Sequence, residues 1–184
     1  MLGRREEDIK EILNSVTAIL HGAATTKFME PIKSAIRINV LGVKHMLEFA
    51  KKCANLVSFI HVSTAYVNCD KPDQEIDERI YLCGYVTYNL FIFWINTNLF
   101  DAFDRPQPYE VIDDISALSD AEAEKKTMKL IKPFPNTYTY SKAIGELLVE
   151  RDRGDLPLSI VRPSIVVSSF AEPVPGKFFF ESIW

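Results

Sequence analysis

The chain has 184 residues, 47% of them hydrophobic and 25% charged, with 21 Lys and Arg against 25 Asp and Glu. That length and composition suit one globular domain and exclude general disorder. The net charge of −4, without any long run of one sign, gives no footprint for nucleic acid or an anionic membrane surface. Cys53, Cys69 and Cys83 are an odd number at wide spacing, which fits neither a disulfide framework nor a zinc knuckle and points to a reducing compartment. The stretch Met1 to Glu11 is too charged to serve as a secretory leader and reads like the middle of a helix.

In chain order, Ile9, Ile12 and Leu13 form a short amphipathic stripe that ends near Asn14, and residues 15–20 then read as a buried strand. Residues 21–26 are a loop of small side chains. Pro31 opens a helix whose apolar stripe is Ile32, Ile36, Val40, Val43, Leu47 and Ala50, ending near Lys51 and Lys52 where cations suit the dipole. Residues 56–62 are a second strand, too apolar for a wet face, which predicts a parallel sheet covered on both sides. A long irregular stretch follows, then a third helix over residues 135–150 and a third strand over 158–162 that stops at Pro163. The order β-α-β-α-β with a helical lead-in is half of a doubly wound α/β sheet. Its three strands correspond to numbers four, five and six of the order 3-2-1-4-5-6, so they are expected to pair in parallel.

Residues 82–100 carry no charge and are crowded with Phe, Ile, Asn, Tyr and Leu. The length approaches a membrane span, but Gly84, Thr87, Asn89, Asn96, Thr97 and Asn98 argue against one, and no basic cluster flanks it closely. Adenine/thymine-rich codons specify the same residue types, so translated intron sequence stands beside an ordinary amphipathic insertion as an explanation.

Tyr138 and Lys142 stand four apart at the start of the third helix, hence on one face, where a cation favours phenolate and suits the tyrosine to proton donation. A surface tyrosine and lysine is the plainer alternative. Ser63 and Thr64 follow the second strand, where ligands of open α/β sheets bind, although hydroxyls there commonly satisfy loop backbone. Asn39 lies on the apolar stripe of its helix and needs a partner, in a structural or a catalytic role alike.

His21-Gly-Ala-Ala24, Asn39-Val-Leu-Gly42, His61-Val-Ser-Thr-Ala-Tyr66, Tyr138-Thr-Tyr-Ser-Lys142 and Val161-Arg-Pro-Ser-Ile165, in that order, resemble an extended short-chain dehydrogenase/reductase. More narrowly, residues 136–142, Arg162-Pro-Ser-Ile-Val166 and Glu172-Pro-Val-Pro-Gly176 resemble the fatty acyl-CoA reductases. The resemblance covers roughly residues 6–80 and 130–176 and implies a partial Rossmann-like NAD(P)-binding domain over the whole chain, with 82–104 as an atypical insertion. It also implies site roles. Tyr138 would be the proton donor, Lys142 would bind the nicotinamide ribose and tune Tyr138, and Thr64 or, second, Ser63 would polarise the carbonyl. Asn39 would complete a water-linked relay, His21, Gly22, Ala23 and Ala24 would lie along the cofactor, and Pro163, Ser164 and Ile165 beside the nicotinamide. The reaction implied is reduction of a long-chain acyl-CoA to a fatty alcohol by two hydrides from NADPH, inside the cell at a peroxisomal or endoplasmic reticulum membrane.

None of the seven glycines forms a Gly-x-x-Gly-x-x-Gly loop, whose backbone would approach the cofactor pyrophosphate. The chain therefore reads as a fragment with little activity or NADPH affinity alone. A non-catalytic protein binding a partner or lipid, and a truncated or mis-predicted gene product, stay open as alternatives. Membrane association is expected only through 82–100 or segments outside this sequence, and self-association through an apolar sheet edge at residues 15–20.

Overall fold

A computed structural model of the chain describes residues 6–71, 75–81 and 107–166. Its elements are α1 (Glu6–Ser15), β1 (Ala18–His21), α2 (Ile32–Ile36), a π-helical turn (Arg37–Leu41), α3 (Gly42–Ala50), β2 (Ser58–Val62), a 3-10 turn (Ala65–Asn68), α4 (Pro108–Ala117), α5 (Asp120–Leu130), α6 (Thr137–Asp152) and β3 (Leu158–Val161). The strands form one parallel sheet in the order β1-β2-β3, with Ile19 beside Phe59, His21 beside His61 and Val62 beside Val161. The expected half of a doubly wound sheet is present.

The largest differences from the sequence reading lie at β1 and in the irregular stretch, the other boundaries shifting by one or two residues. Because α1 runs on to Ser15, and Val16 still donates back to the Ile12 carbonyl, β1 begins at Ala18 and takes in His21, which the sequence had assigned to a loop. The irregular stretch contains α4 and α5. Pro108 in the first turn and the spacing of Val111, Ile112 and Ile115 start and bury α4. Ser119 and Glu122 cap α5 reciprocally, the side chain of each accepting from the other's backbone. The segment 82–104 lies outside the described residues. Among those described, no helix is long and apolar enough to cross a membrane.

Among the described residues, only one face of the sheet carries buried side chains. Ile19, His21, Phe59 and His61 are buried on the face that packs against the helices, with Leu158 and Ile160 half-buried beside them. On the opposite face no described side chain is buried, and Leu20 is 72% and Val161 49% exposed. The apolar run of residues 56–62 therefore conceals an alternation, in which the core takes every second residue.

The stripe from Ile32 to Ala50 is buried along its whole length, although the helix that carries it changes pitch at the π turn. At that turn α6 crosses close by. A Cβ at Gly145 would stand 2.9 Å from the Asn39 carbonyl oxygen, so this position on α6 admits only glycine. Gly145→Ala is expected to cost about 1–3 kcal/mol through overpacking against backbone. Urea denaturation of the variant checks this, and an unchanged midpoint would show that α6 does not sit so close.

Candidate functional site

α6 is a helix surrounded by protein. Apart from half-buried Tyr138, every residue from Thr137 to Val149 is buried, so its polar side chains must find partners inside. Asn136 starts it by accepting from the Thr139 backbone N–H at 2.9 Å. Lys142 then reaches the end of β2, where Nζ donates to the Val62 carbonyl at 2.7 Å. Burial lowers the Lys142 pKa to about 8 despite the opposing pull of Glu146 one turn on. Glu146, itself 1% exposed, accepts two bonds from the Arg162 guanidinium at 2.9 and 2.7 Å, and Arg162 also donates to the Arg79 carbonyl. This fork ties the segment leaving β3 to the helix that carries Tyr138 and Lys142.

The residue after Val62 is Ser63, buried and without a hydrogen-bond partner for its hydroxyl among the described residues. Thr64, also buried, caps the 3-10 turn by accepting from the Tyr66 N–H at 3.3 Å. That bond uses a lone pair and leaves the Thr64 proton for donation. Lys142, Ser63 and Thr64 are thus brought to the carboxyl end of β2. Tyr138, one turn before Lys142, packs its ring against Phe28 with centroids 5.8 Å apart.

Asn39 sits at the middle of the π turn and is 2% exposed. Its Oδ1 accepts from the Thr25 N–H at 2.9 Å, while Nδ2 donates to the Thr25 carbonyl at 3.1 Å and to Ser141 Oγ at 2.9 Å. Both amide protons are committed, so the side chain fastens the loop after β1 to α6, and the Asn39 backbone carbonyl is the part that faces the Gly145 gap. In that loop Gly22 and Ala23 are exposed and Ala24 is half-buried. Pro163 is half-buried and Ser164 and Ile165 are exposed after β3. These two surfaces flank the end of β2, where the sequence reading puts a cofactor.

His21, expected along the cofactor, is the last residue of β1. Its side chain is buried under the sheet end and meets His61 across the β1–β2 ladder, Nδ1 to Nδ1 at 3.2 Å. Such a contact requires one ring to carry its proton on Nδ1 and the other to be bare there, so the pair holds together in the neutral form. Burial, then the Lys142 charge, then His21 lower the His61 pKa to about 3, and burial and Lys142 lower His21 as well. Sequence reasoning did not foresee this pair, Ser141, Gly145 or the Glu146–Arg162 fork. Only Glu146 had a local signal, the four-residue step that repeats the Tyr138–Lys142 spacing.

As pH falls below the ordinary histidine value of about 6.5, the unfolded chain binds a proton that folded His61 refuses until about pH 3. Stability is therefore lost on acidification across that window, with a slope approaching about 1.4 kcal/mol per pH unit from this group. His61→Gln should flatten the slope by close to one proton in denaturation series from pH 7 to pH 3. Equal slopes would place His61 in solvent.

The chain matches an NAD-binding family described as male sterility protein over residues 1–182. It is 36% identical over 171 residues to fatty acyl-CoA reductase 2 of Homo sapiens, a match covering 93% of this chain and 29% of that protein. Against fatty acyl-CoA reductase 1 of Homo sapiens it is 35% identical over 175 residues, covering 95% and 30%. The chain thus spans under a third of the length of these curated relatives. Among solved structures, a thiolation-reductase di-domain from an archaeal non-ribosomal peptide synthetase superposes with a TM-score of 0.50 at 22% identity, covering 91% of this chain and 27% of that one, which speaks to the fold. The resemblance read from the sequence motifs is borne out: the chain belongs to the male sterility family of NAD-binding domains, together with the fatty acyl-CoA reductases.

Proposed function

We propose that this domain supplies the proton-donating half of a reductase that converts long-chain fatty acyl-CoA to fatty alcohol with NADPH. The observation that carries the reading is the Lys142 ammonium at the carboxyl end of β2, adjoining the buried hydroxyls of Ser63 and Thr64 and one helical turn from Tyr138. NADPH would supply the hydride. Its nicotinamide end suits the small, accessible surfaces of Gly22, Ala23 and Ala24 on one side and Pro163, Ser164 and Ile165 on the other. Lys142 would hold the adjoining ribose and keep positive charge beside Tyr138, Thr64 or Ser63 would donate to the developing oxyanion, and Tyr138 would deliver the proton. Asn39 would act by fixing the loop that borders this space and would complete the water-linked proton relay.

The test is a chimera in which this segment replaces the matching residues of a fatty acyl-CoA reductase. We expect NADPH-dependent alcohol formation, abolished by Tyr138→Phe (at least a hundredfold in kcat, the usual scale of acid catalysis) with NADPH affinity within twofold. Full turnover in the Phe variant, or a chimera that binds NADPH and acyl-CoA yet makes no alcohol, contradicts the reading.

The 184-residue chain alone is a different case, since its sequence has no pyrophosphate-binding glycine loop and β1 is an edge strand among the described residues, with Leu20 exposed. We expect NADPH affinity weaker than millimolar and self-association along that edge, relieved by Leu20→Lys. Calorimetric titration and light scattering check the two halves. A monodisperse unsubstituted monomer with micromolar affinity contradicts both.

A further inference from the structure

The turn from Lys27 to Glu30 carries two of the most exposed large apolar side chains of the described residues, Phe28 at 62% and Met29 at 76%. Its backbone, by contrast, is fastened on every side. Glu30 N–H donates to the Lys27 carbonyl at 3.3 Å, and Thr137, the first residue of α6, donates its backbone N–H to the Phe28 carbonyl and its hydroxyl to the carbonyls of both Phe28 and Glu30. Thr25, two residues before the turn, is held by Asn39 and itself donates to the Glu30 carboxylate at 3.2 Å. A surface turn fixed this firmly, with a ring and a thioether at its tip, presents an apolar surface at little further ordering cost to whatever binds it. The Phe28 ring rests on Tyr138, so this surface is continuous with the residue that would protonate the substrate.

We infer that Phe28 and Met29 are the apolar seat for the first carbons of the acyl chain as it leaves the reacting carbonyl, an inference that rests on the proposed reductase reading. The ligand is a long, unbranched acyl group, whether presented as thioester or aldehyde. A carbonyl within reach of the Tyr138 hydroxyl brings its neighbouring methylenes onto the Phe28 ring, and an unbranched thioether such as Met29 adapts to a chain with many conformers. The neighbouring Glu30 carboxylate is turned back to Thr25, away from the two apolar side chains.

The experiment uses the 184-residue chain labelled with carbon-13 at its methionine methyl groups and titrated with lauroyl-CoA below its micelle concentration, with octanoyl-CoA and free CoA as the other arms. The Met29 methyl signal, assigned by Met29→Leu, is expected to shift with both acyl thioesters, more tightly for the longer, and not with CoA. Phe28→Ser with Met29→Ser should weaken lauroyl-CoA at least tenfold while leaving circular dichroism unchanged and the melting temperature little changed, because both side chains are mostly exposed and Phe28 loses only its contact with Tyr138. Tyr138→Phe should leave the affinity within twofold. Overturning results are no shift, an equal shift with CoA, unchanged affinity in the double variant, or light scattering in which the double variant dissolves a dimer, which would make a second copy the occupant. If the Met29 shift fails while the chimera turns over, this inference falls alone; if the shift holds in an inactive chimera, the reductase reading falls and an acyl-binding surface remains.

Discussion

The amide of Asn39 is the joint on which the site depends. Three hydrogen bonds leave it, two to the backbone of Thr25 and one to Ser141, so one buried side chain binds the loop after β1, the middle of the helical crossover from β1 to β2 and the first turns of α6. An amide with 2% exposure cannot be left half-satisfied without losing about 1–3 kcal/mol, and that penalty fixes the loop geometry. Asn39 sits at the middle of the π turn, and Val43, Leu47 and Ala50 of α3 stay buried beyond it. Gly145 completes the joint by letting α6 come against the Asn39 carbonyl.

The same logic runs down α6. A helix buried on nearly all sides normally carries apolar residues, yet this one places Ser141, Lys142 and Glu146 inside, each against a specific partner. Lys142 and Glu146 are costly to bury, and removing either Glu146 or Arg162 alone would strand a charge at about 3–5 kcal/mol. The arrangement aligns Tyr138, Lys142 and Glu146 along one stripe and ties its far end to the segment after β3. Beneath the stripe, His21 and His61 stay neutral because burial and the Lys142 charge both oppose a second cation there.

The three strands, the long crossover and α6 were legible because each is written locally, in a buried stripe, a cap or an apolar run. The start of β1 was not, since nothing in Ser15-Val16-Thr17 tells a helix end from a strand beginning until Val57 and Ser58 pair with the Thr17 carbonyl. The α4–α5 hairpin was readable from Pro108 and from the Ser119–Glu122 box, and was obscured by the adjoining uncharged segment. Of the site, the Tyr138–Lys142 step and the hydroxyls after β2 were visible as types at a spacing. What they are pinned by is set by tertiary contacts spanning 14 to 102 residues, as between Thr25, Asn39 and Ser141, and no local pattern carries that. The alternation within the strands was hidden in the sequence because Ile, Leu and Val occupy inward and outward positions alike.

The Asn39 amide orders the loop after β1, and residue-resolved hydrogen exchange at Thr25 tests this. Thr25 lies in a loop, where an amide ordinarily exchanges freely, but its N–H is bonded to buried Asn39 Oδ1. The Thr25 amide should be protected to the same degree as the amides of α6, and Asn39→Ala should release Thr25 while the amides of β2 keep their protection. A Thr25 amide that exchanges at the rate of an unstructured chain in the unsubstituted protein would contradict it.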